Sequence, residues 1–366
     1  MGQIPFIDLH EQYLSYKVPI DKAISSVLAS AQFIGGSEVE ALELELSAFL
    51  NQGSQNNFCI TCASGTDALI LALKALELRL GDEVLLPSFS FIATASAVSN
   101  LGLNPIFVDI GPDLNIDLED ASKRLSPRSK ALIAVSLFGQ MPDFDALRSF
   151  CQENELFLIE DAAQSFGASD DKGLKSCTLA DISITSFFPS KPLGCFGDGG
   201  AVFTQNELWA QKIKMLANHG AKKRYEHELL GFNSRLDALQ AAILRVKLER
   251  FSDELAQRQD KARLYLNGLK GCEYPLLKPG YISSWAQFCV LVENREQLVE
   301  KLENEGIPSA IHYPKALHQQ QCYKNYQAAK VSLKASEKAC LSILSLPFSA
   351  FLSKSQQEKI IEVFNA

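Results

Sequence analysis

From Phe58 to Thr204 the chain alternates short, β-rich apolar runs with helix-like stretches, and that alternation leaves few folds open. The apolar runs cover residues 58–63, 84–87, 105–110, 131–138, 156–159, 182–188 and 201–204, and helical patterns fill 67–78, 92–101, 118–125 and 144–154 between them. Strand–helix–strand repetition at this spacing predicts an α/β fold, a mostly parallel central sheet flanked by helices on both faces. Ligands of such sheets bind beyond the carboxyl ends of the strands, so the residues that follow each run are the ones to search for chemistry.

Past Arg235 the pattern changes to a long helical stretch over 237–269, punctuated afterwards by Gly271, Pro275, Pro279 and Gly280. A strand-like run at 288–292, an amphipathic helix at 296–305 and a final helix at 354–364 complete a smaller C-terminal α+β domain. The expected division is a large α/β domain over 1–245, N-terminal arm included, and a long helix with the small domain over 246–366.

Charge and cysteine content narrow the partners. Lys and Arg number 35 against 43 Asp and Glu, a net charge of −8 that offers no basic excess for a nucleic-acid backbone. Residues 1–8 lack the basic and apolar pattern of a signal peptide, and no apolar run approaches the roughly 18 residues of a membrane span. Nine cysteines, an odd number in a long chain, favour the reducing cytoplasm. Cys59 and Cys62 lack the second pair that a zinc site needs and read as packed residues of a buried strand; no metal is expected.

Three segments carry candidate chemistry. Ser64-Gly65-Thr66 opens an almost wholly apolar helix, where free N–H groups and the Thr66 hydroxyl suit an anion. Taken alone, the same residues describe an ordinary capped core helix. Glu160 and Asp161 end a buried strand and are followed by Gln164; a carboxylate there needs a cation or donor, or else caps the next helix. Lys191 stands between Pro189 and Pro192, ahead of Gly194, Gly197, Gly199 and Gly200, in a turn that no regular helix can occupy. Confinement lowers an amine's pKa and suits Schiff-base chemistry. Neither the P-loop nor the dinucleotide glycine pattern is present. Together Thr66, Asp161 and Lys191 meet the needs of pyridoxal phosphate: an anion nest, an acidic partner for the pyridine nitrogen and a lysine for the aldehyde.

With these segments in view, the chain resembles the fold-type-I pyridoxal-phosphate aminotransferases of nucleotide-linked keto-sugars, the DegT/StrS family. The matching stretches include Phe6-Ile-Asp-Leu9, Ala63-Ser-Gly-Thr-Asp-Ala68, Ala93-Thr-Ala95, Phe138-Gly-Gln140, Ile159-Glu-Asp-Ala-Ala-Gln164, Ser186-Phe-Phe-Pro-Ser-Lys191, Asn233-Ser-Arg-Leu-Asp237, Gln240-Ala-Ala242 and Ile311-His-Tyr-Pro314. The resemblance implies that Lys191 links to the cofactor aldehyde, Asp161 pairs with the ring nitrogen and Gln164 lies beside the ring hydroxyl. It further implies that Gly65, Thr66 and Ser186 hold the phosphate and that Phe91 stacks on the ring, with Phe89 in the same stretch as a competitor. Asn233 would reach the phosphate of the neighbouring subunit in a homodimer with shared active sites, and Arg235, His312 and Tyr313 would bind the sugar nucleotide.

Some relatives are dehydratases with histidine at the lysine position; Lys191 favours transamination here. Thr185 to Gly200 and Val135 to Gln140 are most similar to enzymes that aminate C3 of UDP-linked 2-acetamido-3-keto sugars, hexuronic acid or hexose, for lipopolysaccharide and O-antigen. The resemblance thus implies ping-pong transfer from L-glutamate to a UDP-linked keto-sugar. A 4-keto-6-deoxy sugar acceptor is the alternative within the class, and a non-catalytic cofactor-binding regulator the alternative outside it.

Overall fold

The computed structural model describes residues 4–51 and 57–366, so residues 1–3 of the segment assessed for a leader lie outside the described part. Seven strands form the central sheet: β1 (Phe58–Cys62), β2 (Glu83–Pro87), β3 (Asn104–Val108), β4 (Ser129–Val135), β5 (Phe157–Asp161), β6 (Ile182–Ser186) and β7 (Gly200–Thr204). Their order is β1-β7-β6-β5-β4-β2-β3, and β7 alone runs antiparallel to its neighbours. The other six strands therefore deliver their carboxyl ends to one edge.

Alternate residues along each strand enter different cores, as a pleated strand requires. Val84, Leu86, Ile133, Ile159 and Ile184 pack on one face with Leu69, Leu73, Ala95 and Val98. The latter belong to helices α3 (Gly65–Ala75) and α4 (Ile92–Asn100). Leu85, Leu132 and Leu158 pack on the other face with Phe144 and Leu147 of a helix over Phe144–Glu153. Burial on both faces explains why these strands read as continuous apolar runs. Cys59 and Cys62 are both buried, one in each core layer, and neither is bonded to another cysteine.

Two helices precede the sheet, α1 (Leu9–Ser30) and α2 (Ser37–Leu50). Tyr16 and Ile20 of α1 pack on Ile243, while Leu42 and Leu46 of α2 pack against Ala241 and Leu244. The single helix expected over 237–269 is instead a pair, Ala238–Leu248 and Phe251–Gly268. Tertiary packing accounts for the break. Phe251 is buried against Phe49 and Phe166, and Glu254 turns to the Tyr16 hydroxyl, which donates to it at 2.6 Å. Residue 245, where the sequence suggests the domain division, lies within the first of the pair.

The run expected as strand to residue 138 ends at Val135, because the chain turns through a short 3-10 segment, Leu137–Gly139, that aims the Phe138 N–H at Gln164. The C-terminal lobe is built on an antiparallel pair, Phe288–Leu291 with Ile343–Leu346, whose Phe288, Val290, Leu344 and Leu346 share a core with Tyr265, Leu302 and Ile360. Among the described residues no helix is long and apolar enough to cross a membrane.

Candidate active site

At the edge where six strands end, Asp161 closes β5 as a buried residue, 5% exposed. Strand alternation separates it from Glu160. Glu160 points into the opposite layer, where it accepts hydrogen bonds from Ser136, Ser176 and Ser183 hydroxyls and the Cys177 N–H. Asp161 accepts from the Thr94 hydroxyl at 2.9 Å and the Ala163 N–H at 3.2 Å. Burial raises its pKa, opposed by Thr94, Ala163 and the charge of Lys191. Its remaining lone pairs are available to a further donor, as a carboxylate has about four.

Lys191 sits at the apex of the loop after β6, its N–H donating to the Phe188 carbonyl at 2.8 Å. Burial pushes its ammonium down to about 8, and the Asp161 carboxylate resists that fall. Among the described residues no hydrogen-bond partner holds its Nζ, so the amine is free to react. His312 senses the same charge: burial and Lys191 both lower its pKa, and its Nδ1 lies 2.9 Å from the Ser345 hydroxyl.

The anion nest is built by close approach of two chain segments. Ser64 caps α3 by accepting the Asp67 N–H at 3.1 Å, leaving the N–H groups of Gly65 and Thr66 without intrahelical partners. A Cβ on Gly65 would lie 2.7 Å from the Cβ of Ser186, so only glycine lets the helix start against the end of β6. The Ser186 hydroxyl accepts the Phe188 N–H at 3.3 Å and keeps its own proton to donate. Gln164 is held at both ends of its amide: Oε1 accepts the Phe138 N–H at 2.7 Å, and Nε2 donates to the Tyr313 hydroxyl at 3.0 Å.

Tyr313 is flanked by both candidate aromatic residues. Phe89 is buried edge-on to Phe138 and Tyr313, whereas Phe91 is 53% exposed with its ring tilted toward Tyr313 at 6.1 Å. Of the two, Phe91 presents a face to solvent. Asn233 and Arg235 lie apart. Asn233 is exposed and bridges Asn218 through its backbone, and Arg235 donates to the Asn218 side chain at 2.6 Å while its buried Nε has no partner among the described residues. The Ser234 hydroxyl between them accepts the Ala63 N–H at 3.3 Å, which ties this strip to the segment leading into α3.

Thr94 is the residue that motif reading missed. It stands in Ala93-Thr94-Ala95, the third residue of α4, a helix that also carries Ser96 and Ser99, so nothing in the sequence singles out its hydroxyl as the donor to Asp161. Ser90 extends the relay, its hydroxyl 3.0 Å from that of Thr94.

An anion nest without a side chain in its way, a buried carboxylate with open lone pairs and a free amine of lowered pKa match the phosphate, ring nitrogen and aldehyde of pyridoxal phosphate. Comparison with known proteins agrees. A relative named UDP-2-acetamido-2-deoxy-3-oxo-D-glucuronate aminotransferase from Pseudomonas aeruginosa is 45% identical over 95% of this chain and 96% of its own length. The crystal structure of an aminotransferase of the DegT, DnrJ, EryC1 and StrS type from Brucella abortus superposes with a TM-score of 0.92 at 39% identity, covering 99% of this chain and 98% of that one. NtdA from Bacillus subtilis, solved with bound cofactor PMP, gives a TM-score of 0.91 at 30% identity over 100% of this chain and 85% of its own. With the family's own model matching residues 16–365, the chain belongs to the DegT/DnrJ/EryC1/StrS aminotransferase family and is a pyridoxal-phosphate-dependent enzyme.

Proposed function

We propose that the protein transfers the amino group of L-glutamate to the C3 carbonyl of a UDP-linked 2-acetamido-3-keto sugar, a hexuronic acid or the parent hexose. Glutamate leaves as 2-oxoglutarate, and the sugar carbonyl becomes a carbon bearing the amine and one hydrogen. The observation that carries amino transfer is the Lys191 amine, with its pKa near 8, opposite the buried Asp161 carboxylate. The choice of sugar is supported by the Pseudomonas aeruginosa relative, whose name specifies a 3-oxo sugar on UDP.

Pyridoxal phosphate, when bound, supplies an aldehyde that links to amines and a ring that takes up the electrons of the broken Cα–H bond. Lys191 Nζ removes that proton from glutamate and delivers one to C3 of the sugar. Asp161 keeps a cation facing it charged, and Thr94 holds the carboxylate in place. Gly65, Thr66 and Ser186 would hold the phosphate, and Gln164, fixed by Phe138 and Tyr313, would hold the ring together with Phe91. Arg235, His312 and Tyr313 bind the sugar nucleotide, and Asn233 completes the site of a second subunit in a homodimer. Both substrates use one site in turn, so double-reciprocal plots are expected to be parallel.

The test offers the loaded protein L-glutamate with a UDP-linked 3-keto sugar or with a 4-keto-6-deoxy sugar and weighs the products by mass spectrometry. A 3-amino sugar supports the proposal. Amination of the 4-keto sugar alone overturns the choice of acceptor, and no product from either, with cofactor bound, replaces catalysis by a regulatory role.

A further inference from the structure

The loop that carries Lys191 is folded tightly on itself. The Lys191 N–H donates to the Phe188 carbonyl and the Cys195 N–H to the Phe187 carbonyl, each at 2.8 Å. A Cβ on Gly194 would lie 2.7 Å from the Phe188 carbonyl oxygen and 2.5 Å from that of Pro189, so the returning limb lies flat on the outgoing one. What grips this loop from outside is a buried cation. Lys247, 2% exposed on the helix Ala238–Leu248, donates from Nζ to the Gly194 carbonyl at 2.6 Å.

The same ammonium donates to Gln12 Oε1 at 2.9 Å and stands 4.5 Å from the centroid of the Phe196 ring. Gln12 in turn donates to Glu254 at 3.1 Å, and the Tyr16 hydroxyl donates to the same carboxylate, so the nearest opposite charge is one side chain removed. Seven residues before Lys247, the Gln240 side chain accepts the Phe196 N–H at 2.8 Å. Seven residues are close to two helical turns, so one helix face takes hold of the loop at Gly194 and again at Phe196. A buried ammonium without a direct ion pair is costly to keep where an apolar side chain of equal length would fill the space.

The geometry points to Lys247 as a positioning residue for Lys191: it touches neither cofactor nor substrate, and it fixes the limb three residues downstream of the reacting amine. This rests on Lys191 being that amine. The fastening is made by groups of the chain alone, so it is measured in the cofactor-free protein.

Hydrogen–deuterium exchange of cofactor-free wild type, Lys247→Met and Lys247→Arg is the test, followed by the pH dependence of pyridoxal phosphate uptake by each. In Lys247→Met the amides of residues 187–195 are expected to exchange about tenfold faster, with those of β4 and β5 unchanged, and the uptake midpoint to move. Lys247→Arg, which keeps charge and donors, is expected to stay within about twofold of wild type. Wild-type exchange over 187–195 in Lys247→Met overturns the proposal, and so does an equal rise across the whole sheet, which marks a role in overall stability alone. Should Lys247→Met not fold, Lys247→Gln, too short to span to Gly194, is judged by the same criteria. Absence of an amino-sugar product would count against the proposed function and leave this exchange pattern untouched.

Discussion

Glu160 and Asp161 are adjacent buried carboxylates, and the contrast between them defines the site. Glu160 has every lone pair engaged by serine hydroxyls and an amide, so it has nothing left for a ligand. Asp161 has two donors and faces Lys191, and the sign of its effect on that lysine is testable. Lys191 has a folded-state pKa of about 8, below the roughly 10.4 of a free lysine, so the unfolded chain binds this proton more tightly across that window. Its contribution to stability therefore rises with pH between those values and is least favourable below about 8. Uptake of pyridoxal phosphate needs the neutral amine, so its rate is expected to climb with pH to a midpoint near 8. In Asp161→Asn the supporting negative charge is gone and the midpoint falls. Stopped-flow absorbance across pH measures both, and a midpoint that stays or rises in the variant contradicts the support assigned to the Asp161 charge. The rigid turn that holds Lys191 was legible in the sequence, marked by two prolines and four glycines; the role of Thr94, present only inside a matching stretch, was not, because the carboxylate it serves ends β5, far along the chain.

Among elements, the strands were the most legible part. They are largely buried on both faces and read as apolar runs, so the expected runs and the observed strands overlap throughout, the largest misfit being at β4, where the Phe138 N–H is drawn to Gln164. The break between Leu248 and Phe251 carries no glycine or proline and arises from packing of Phe251 on Phe49 and Phe166. Helices α1 and α2 do carry buried stripes, Tyr16, Ile20 and Val27 in α1 and Leu42, Leu46 and Leu50 in α2, interrupted on the outer side by Val18, Pro19 and Leu44. The junction of α3 with β6 yields the prediction proper to this scale. Gly65→Ala introduces a Cβ where 2.7 Å separates it from Ser186, so helix and strand must part by several tenths of an ångström. Overpacking of this kind costs about 1–3 kcal/mol, and the displaced N–H groups hold an anion less well. Affinity for pyridoxal phosphate is expected to fall by at least about tenfold, read by fluorescence titration alongside the melting temperature. Unchanged affinity with a lowered melting temperature would place the phosphate elsewhere.

For the whole molecule, the strip carrying Asn233 and Arg235 poses the remaining question. It is tied to the entry of α3 through Ser234, yet Asn233 is exposed and Arg235 has a buried Nε without a partner among the described residues. Nearby segments expose large apolar side chains that a single copy leaves to solvent: Tyr225 and Leu230 just before the strip, Phe33 and Ile34 between α1 and α2, where Ile34 bridges Asp237. The proposed homodimer, with Asn233 serving the partner's site, would cover such apolar side chains and give the exposed asparagine a ligand. Subunit mixing decides it. Lys191→Ala has no reacting amine, and Asn233→Ala is expected to lose at least about tenfold in cofactor affinity. Each protein alone is then expected to be nearly inactive at limiting cofactor. If the two residues of one working site come from different subunits, a mixed dimer concentrates both defects in one site and leaves the other whole. Random exchange of equal amounts makes about half the dimers mixed, so activity is expected to return to about one quarter of wild type. If instead Lys191 and Asn233 of the same chain share a site, every site in every mixture keeps one defect and no activity returns.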